Sequence, residues 1–119
     1  MPSFILHYNS PNIESKVIET LQNNARSILS QEIGKSSDFV LTVINFCENM
    51  SFGDSSSPCA FAEVKNVGKL DASITTSMSD KLCCLISDSL GISKERIYIE
   101  FQESDRHLWG WNGKTFQKS

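Results

Sequence analysis

A proline at the second position is the residue of this chain whose type and place suggest chemistry most directly. Pro2 opens an apolar run that continues through Leu6. A small side chain after an initiating methionine generally permits removal of Met1, which would leave Pro2 with a free secondary amine held rigid by its ring. A neutral amine accepts protons and can serve as a general base. The sequence therefore predicts a candidate base at the start of a strand.

The cysteines and histidines show no pattern of a metal or redox site. No two cysteines have the C-x-x-C spacing of a metal knuckle or a redox pair. Zinc needs four converging ligands, and the only histidines are His7 and His107. We expect free thiols in a reducing compartment, no metal site and no cofactor. The cysteines are Cys47, Cys59, Cys83 and Cys84.

Charge and hydropathy argue against several classes of partner. The 119 residues include 14 acidic and 11 basic side chains, and the basic ones are scattered along the chain. Such scatter argues against nucleic-acid binding and against binding to an anionic membrane. The longest apolar stretches are far shorter than the roughly 18 residues that a transmembrane helix needs. No basic region precedes the apolar start, so we expect no signal peptide and a cytoplasmic protein.

The elements that must position Pro2 are a strand, a helix and a second strand. Apolar residues alternate over positions 3 to 8, which is typical of a strand with one buried face. We expect a helix to start at Ser10 and Pro11, with Ser10 as its cap, and to end at Gly34. Residues 39 to 47 are apolar almost throughout, which predicts a strand covered on both faces.

The second half of the chain repeats this order. Gly34 and Gly91, which end the two predicted helices, are 57 residues apart, nearly half the chain. Within the second helix, Ser77 and Asp80 form a candidate capping pair. The predicted elements are a loop over 51 to 58, a strand over 59 to 65, a helix from about Ser73 to Gly91, and a strand over 96 to 102.

Two β-α-β repeats predict an α+β fold for residues 1–119 as a single domain. The four strands form one mixed sheet, and right-handed crossovers place both helices on one face. The other face consists of strands that are too apolar to remain in water, which favours oligomerisation through that face or its edges.

The carboxyl-terminal segment contains both tryptophans. Trp109 and Trp111 flank Gly110, and Asn112-Gly113 is typical of a hairpin turn. A short hairpin cannot bury two indoles by itself. We expect it either to fold over a pocket or to dock on a neighbouring subunit.

Seven short segments, in order, resemble those of the macrophage migration inhibitory factor and D-dopachrome tautomerase family, within the tautomerase superfamily. The resemblance covers essentially the whole chain and implies a homotrimer whose active sites lie at subunit interfaces, with no cofactor. The segments are Met1-Pro2, Gly34-Lys35, Ser51-Phe52-Gly53, Ser57-Pro58-Cys59-Ala60, Val67-Gly68-Lys69, Arg96-Ile97-Tyr98-Ile99 and Gly110-Trp111-Asn112-Gly113-Lys114-Thr115-Phe116.

The resemblance also implies roles for individual residues. Pro2 matches the family's catalytic base, Lys35 matches the lysine that holds the substrate's carboxylate or carbonyl oxygen, and the backbone amide of Val67 contributes to the same anchoring. Aromatic residues match those of the substrate pocket, the tyrosine being contributed by the adjacent subunit. These aromatic residues are Tyr98, Trp111 and Phe116.

Four positions depart from the best-known members. Glu100 stands where an asparagine binds the substrate carboxylate across the interface, so it would repel an acid unless it points away. Phe39 replaces a tyrosine at the pocket mouth, and Trp109 replaces a smaller aliphatic residue. Ala62 removes the second cysteine of a C-x-x-C pair, which argues against a thiol-oxidoreductase activity.

The leading hypothesis is a cofactor-independent keto–enol tautomerase of the phenylpyruvate or dopachrome type, acting on a small aromatic keto acid. A second hypothesis is a cytokine-like trimer that is secreted without a leader and binds a cell-surface receptor. A third is a hydrolase or dehalogenase that uses the same proline to activate water. Such members place arginines in the pocket, and Arg106 is the only arginine near the tail motif.

Overall fold

The computed structural model describes residues 1–117 as a single mixed sheet with two helices and a small terminal hairpin. Three short 3-10 turns connect these elements, at Ser37–Phe39, Lys94–Arg96 and Arg106–Leu108. Neither helix is long and apolar enough to cross a membrane. The elements are β1 (Pro2–Tyr8), α1 (Ser15–Ile33), β2 (Leu41–Phe46), β3 (Ala60–Val67), α2 (Ala72–Leu90), β4 (Ile97–Ser104), β5 (Gly110–Trp111) and β6 (Lys114–Thr115).

The sheet has the order β2-β1-β3-β4, as two β-α-β repeats require. β1 pairs in parallel with β2, and β3 pairs in parallel with β4. The two repeats join through antiparallel pairing of β1 with β3, which sets Pro2 opposite Asn66. The predicted fold class is confirmed, and this pairing brings the chain's start to the end of β3.

The core lies between the helices and one face of the sheet. Alternate residues of β1 point to this face, so Phe4 and Leu6 are fully buried. Each such side chain contributes roughly 1.5–3 kcal/mol by leaving water. The helices meet them with apolar residues at helical spacing, namely Leu21, Ala25, Leu29, Met78, Leu82, Ile86 and Leu90.

Both helices end as predicted and α2 begins within one residue of its predicted start, but α1 begins later than predicted. Gly34 and Gly91 adopt left-handed backbone angles, φ 77° and 66°, that favour glycine. α1 begins after Glu14, because the hydroxyl of Ser10 instead donates to the carbonyl of Leu90 at 2.9 Å. The prediction of Ser10 as a helix cap was therefore wrong.

The capping pair predicted for α2 was also wrong. The helix begins at Ala72, close to the predicted Ser73, and its cap is Asp71, whose carboxylate accepts a hydrogen bond from the backbone N–H of Ile74 at 3.0 Å. Ser77 lies within the helix and donates to Glu32 of α1. Its hydroxyl therefore joins the two helices.

The second strand and the open sheet face differ from expectation. β2 begins at Leu41, is an edge strand and is largely exposed in the single chain, with Leu41 itself 61% exposed. The open face carries charged groups: the Nε2 of His7 lies 3.4 Å from a carboxylate oxygen of Glu63, and Lys65 lies beside the same carboxylate. The prediction of a uniformly apolar second face was wrong, since exposed apolar area is concentrated at the sheet's edges.

Candidate active site

Pro2 lies at the buried start of β1. A proline is tolerated as the first residue of a strand because its missing N–H removes no essential ladder bond. Its side chain is fully buried, while Met1 before it is only partly so. The amine that removal of Met1 would free is therefore attached to a fixed and desolvated ring.

Lys35 is turned toward Pro2 by the end of α1. Left-handed Gly34 redirects the chain, and the Lys35 N–H donates to the Ser30 carbonyl at 3.1 Å. The Ser30 hydroxyl donates in turn to the Lys35 carbonyl. The side chain is partly buried, and its Nζ donates to the carbonyl of Val67 at 2.7 Å. Val67 directly follows Asn66, so the ammonium lies at the same end of the sheet as Pro2.

Two clefts lie on either side of the chain start. The first has a volume of about 370 Å³, and the second about 380 Å³. Met1 and Phe39 border both of them. The first is also lined by Pro2, Asp38, Val40, Leu41, Trp109, Gly110 and Trp111, and the second by Lys35, Ser36, Val67, Arg106 and Phe116.

A run of aromatic rings forms the shared wall. The ring of Trp111 lies 5.9 Å from that of Phe39, nearly perpendicular to it, and 6.3 Å from that of Phe116, nearly parallel. These are favoured geometries for aromatic pairs. The terminal hairpin thus folds over a pocket of its own chain. Its turn residues, Asn112 and Gly113, both have positive φ, as an Asn-Gly hairpin turn requires.

The hairpin is fixed by reciprocal hydrogen bonds to the preceding 3-10 turn. The N–H of Phe116 donates to the carbonyl of Arg106 at 3.1 Å, and the Nε of Arg106 donates to the carbonyl of Phe116 at 2.8 Å. The rings of the wall are therefore held against the clefts by backbone contacts.

The electrostatic surroundings favour a neutral amine at the chain start. The pKa of the Met1 amine falls from 8.0 to about 5. Burial is the largest cause, followed by the hydrogen bond and the charge of Lys35, and then the charge of Arg106. Burial and nearby cations both disfavour an ammonium.

Most of the predicted site residues lie around the two clefts. The structure brings together Pro2, Phe39, Trp109 and Trp111 at the first, and Lys35, Val67 and Phe116 at the second.

Tyr98 and Glu100 are not part of this group. Both lie on β4, two strands away from β1 at the sheet's edge, and Tyr98 is 65% exposed. The Tyr98 ring packs on Phe52, at 4.7 Å between centroids, and the guanidinium of Arg96 lies 5.4 Å from the Phe52 ring. Arg96 also donates to loop carbonyls, those of Phe52, Ser55, Ser57 and Pro58.

Two residues at this end of the sheet were not predicted from the sequence. Arg106 lines the second cleft, although the sequence marked it only as the arginine nearest the tail motif. Asn66 is almost fully buried opposite Pro2, and its Oδ1 has no hydrogen-bond partner within residues 1–117. The alternation of β3 places Asn66 on the core face, where an amide is unexpected, and that pattern could have identified it.

The two helices and the four-stranded mixed sheet form the fold of the tautomerase superfamily. A family model described as "Macrophage migration inhibitory factor (MIF)" matches residues 1–117. The chain is 35% identical over 116 residues to the macrophage migration inhibitory factor of Meriones unguiculatus, covering 98% of this chain and 99% of that one. It is 31% identical, at the same coverage, to the homologue from Brugia malayi.

Solved structures agree with this relationship. The homologue from Prochlorococcus marinus superposes with a TM-score of 0.89 at 33% identity, covering 97% of this chain and 99% of that one. The macrophage migration inhibitory factor-like protein of Entamoeba histolytica gives 0.90 at 25% identity, covering 97% and 98%. The chain belongs to the macrophage migration inhibitory factor family. Membership supports a tautomerase or cytokine-like function in general and suggests an oligomeric assembly.

Proposed function

We propose that this protein is a cofactor-independent keto–enol tautomerase that acts on a small aromatic keto acid of the phenylpyruvate type. The observation that carries the proposal is the position of Pro2, which is buried at the start of β1 at the same end of the sheet as the Lys35 ammonium. Pro2 is the base, once Met1 has been removed.

The reaction needs one proton to move and no change of oxidation state. The neutral amine of Pro2 takes a proton from the carbon beside the substrate carbonyl, leaving an enolate. The Lys35 ammonium stabilises the developing oxygen charge, since only one of its three N–H groups is used by Val67. The protonated amine then returns the proton to the other atom of the enolate system. Atoms and charge balance without a co-reactant.

The clefts suit a flat aromatic substrate. Phe39, Trp111 and Phe116 offer ring faces and edges to a substrate ring. Because Met1 borders both clefts, we expect its removal to open them toward each other and to expose the Pro2 nitrogen.

We further propose a homotrimer with active sites at its subunit interfaces. The apolar side chains left exposed at both edges of the sheet support assembly, since such area is costly in water. Tyr98 and Glu100, which do not reach the clefts of their own chain, would then reach those of a neighbour. A monomeric mass by light scattering at micromolar concentration would refute this assembly.

The test of function is a phenylpyruvate tautomerase assay on protein shown by intact mass to lack Met1. We expect Pro2→Gly to lower the rate by about 10²-fold or more, the usual contribution of a positioned base. Inserting an alanine between Met1 and Pro2 should abolish the rate, because the Pro2 nitrogen then remains in a peptide bond. Pro11→Gly, at an exposed position outside both clefts, is the matched control. Wild-type conversion at the background rate, or an undiminished rate in Pro2→Gly, would refute the proposal.

A further inference from the structure

The second cleft is lined by two cations and by no carboxylate. Of its seven lining residues, only Lys35 and Arg106 carry charge. Asp38, three residues after Lys35, lines the first cleft instead, and neither Asp105, next to Arg106, nor Glu100 lines either cleft. Two cations around one small cleft repel each other unless an anion lies between them.

Arg106 is held so that part of its guanidinium is free. The Nε donates to the Phe116 carbonyl at 2.8 Å, which fixes the plane of the group. Among the hydrogen bonds formed within residues 1–117, none uses its two terminal nitrogens. A guanidinium has a rigid fork of donors that matches a carboxylate, and paired bonds of this kind are among the strongest in proteins.

The charge of Arg106 also acts on the Met1 amine, which precedes the proposed base. It contributes to the lowered pKa at the chain start, together with burial and Lys35. Met1, Lys35 and Arg106 line the same cleft, so the guanidinium and the ammonium face a common volume beside the chain start. If the carboxylate of a ligand binds the guanidinium, the carbon atoms next to that carboxylate lie within the same volume.

We propose that Arg106 binds the substrate's carboxylate and makes the site selective for keto acids over their esters. The inference rests on the proposed function in one respect, the assignment of the ligand as a substrate. Binding of the carboxylate by Arg106 leaves Lys35 free to act on the carbonyl oxygen. Arg106 also supplies a contact for the carboxylate that Glu100, being an acid itself, cannot. Hydrogen bonds to charged groups predict that loss of the guanidinium weakens an acid ligand by about 10- to 100-fold.

A binding experiment tests this without turnover. The probes are 3-phenylpropionate, which has no keto group to enolise, and its methyl ester, titrated calorimetrically into protein lacking Met1. We expect the acid to bind the wild type more tightly than the ester does. Arg106→Gln should weaken the acid by about 10- to 100-fold and leave the ester unchanged. Arg106→Lys should recover part of the loss, because it keeps the charge without the fork. Arg26→Gln, an arginine on α1 outside both clefts, is the control.

A purely structural role for Arg106 predicts a different result. If the guanidinium only fixes Phe116, both probes weaken equally in Arg106→Gln, and the proposal is overturned. It is also overturned if the wild type binds neither probe or prefers the ester. Kinetics give a second readout: Arg106→Gln should raise KM for phenylpyruvate with little change in kcat, and change neither for its methyl ester. An undiminished rate in Pro2→Gly would refute the base and leave the binding result standing.

Discussion

The base at Pro2 is expected to titrate well below the ordinary range of an amine, and Lys35→Gln should move that titration upward. At the chain start of this structure the amine has a pKa of about 5 instead of 8.0. The freed Pro2 amine would lie one residue further along, at the buried start of β1, so the remaining burial and the Lys35 cation are expected to lower its pKa in the same direction. We therefore expect a pKa below 7 for the freed Pro2 amine.

The effect of the lowered pKa on the amount of active base follows from the fraction of amine that is neutral. At pH 7 an amine with the ordinary value is about one-tenth neutral, whereas one with the lowered value is almost entirely neutral, a gain of about tenfold. Lys35→Gln removes both the hydrogen bond and the charge that rank next after burial. We expect the pKa to rise by about one pH unit, since a nearby charge typically has an effect of this size. Burial and the charge of Arg106 would still account for the rest of the lowered pKa.

The direction of this pKa change can be read from the pH dependence of kcat/KM, which reports the ionisation of the free enzyme. Because only the neutral amine is a base, kcat/KM rises as pH increases through the pKa and then levels off. In Lys35→Gln the rise should occur at higher pH, so the loss of rate is greater in acid than at neutral pH. Proline labelled with 15N gives the same pKa by NMR titration, independently of turnover.

Lys16→Gln provides the control, since Lys16 is an exposed lysine on α1 and lines neither cleft. It should leave the titration unchanged. A wild-type midpoint near 8, or the same midpoint in Lys35→Gln, would contradict the electrostatic account of the site.

Three further changes test other parts of the structure. Arg96→Met should lower the free energy of unfolding by about 1–3 kcal/mol in urea, because four loop carbonyls lose a charged donor, and unchanged stability would show that this contact is dispensable. Leu29→Ala should cost about 2–5 kcal/mol in the same assay and leave the pKa of Pro2 unaffected, because it opens a core cavity remote from the clefts. Glu100→Asn should lower KM for phenylpyruvate about threefold or more and leave the methyl ester unchanged, because in the proposed trimer it removes a carboxylate that would reach a neighbour's cleft and repel the acid. Equal KM values would show that Glu100 reaches no cleft.

The fold could be predicted because its signals are local. Helical periodicity and two left-handed glycines, Gly34 and Gly91, fix the order of elements, and the Asn112-Gly113 pair fixes the hairpin. The start of α1 could not be predicted from local signals. Ser10 is a good cap by type, but its hydroxyl is used by the Leu90 carbonyl, 80 residues further along the chain.

The site could be predicted only where the resemblance supplied a position. A lysine after a helix-ending glycine is ordinarily exposed, and its contact with the Val67 carbonyl depends on how β3 lies beside β1. Arg106 reaches the cleft because the hairpin folds back and Phe116 fixes the guanidinium. Neither contact is encoded by spacing along the chain.

The two repeats build two equivalent corners and use them differently. Pro2 meets Asn66 where β1 starts, and Ala60 meets Tyr8 where β3 starts. The residue after each helix-ending glycine differs between the repeats: Lys35 donates to Val67 beside the Pro2 corner, whereas Ile92 is only 1% exposed and belongs to the core.

The two β-α-β repeats thus serve different purposes at their corresponding corners. The corner at Pro2 keeps a cation and open volume at the expense of packing. At the other corner Ala60 and Tyr8 are buried in the same core cluster as Ile92, and Ser10, two residues after Tyr8, donates to the carbonyl of Leu90. Substitutions at the buried corner will therefore be selected against through loss of folded protein, and those at the open corner through loss of chemistry, although the two repeats share the same element order and strand pairing.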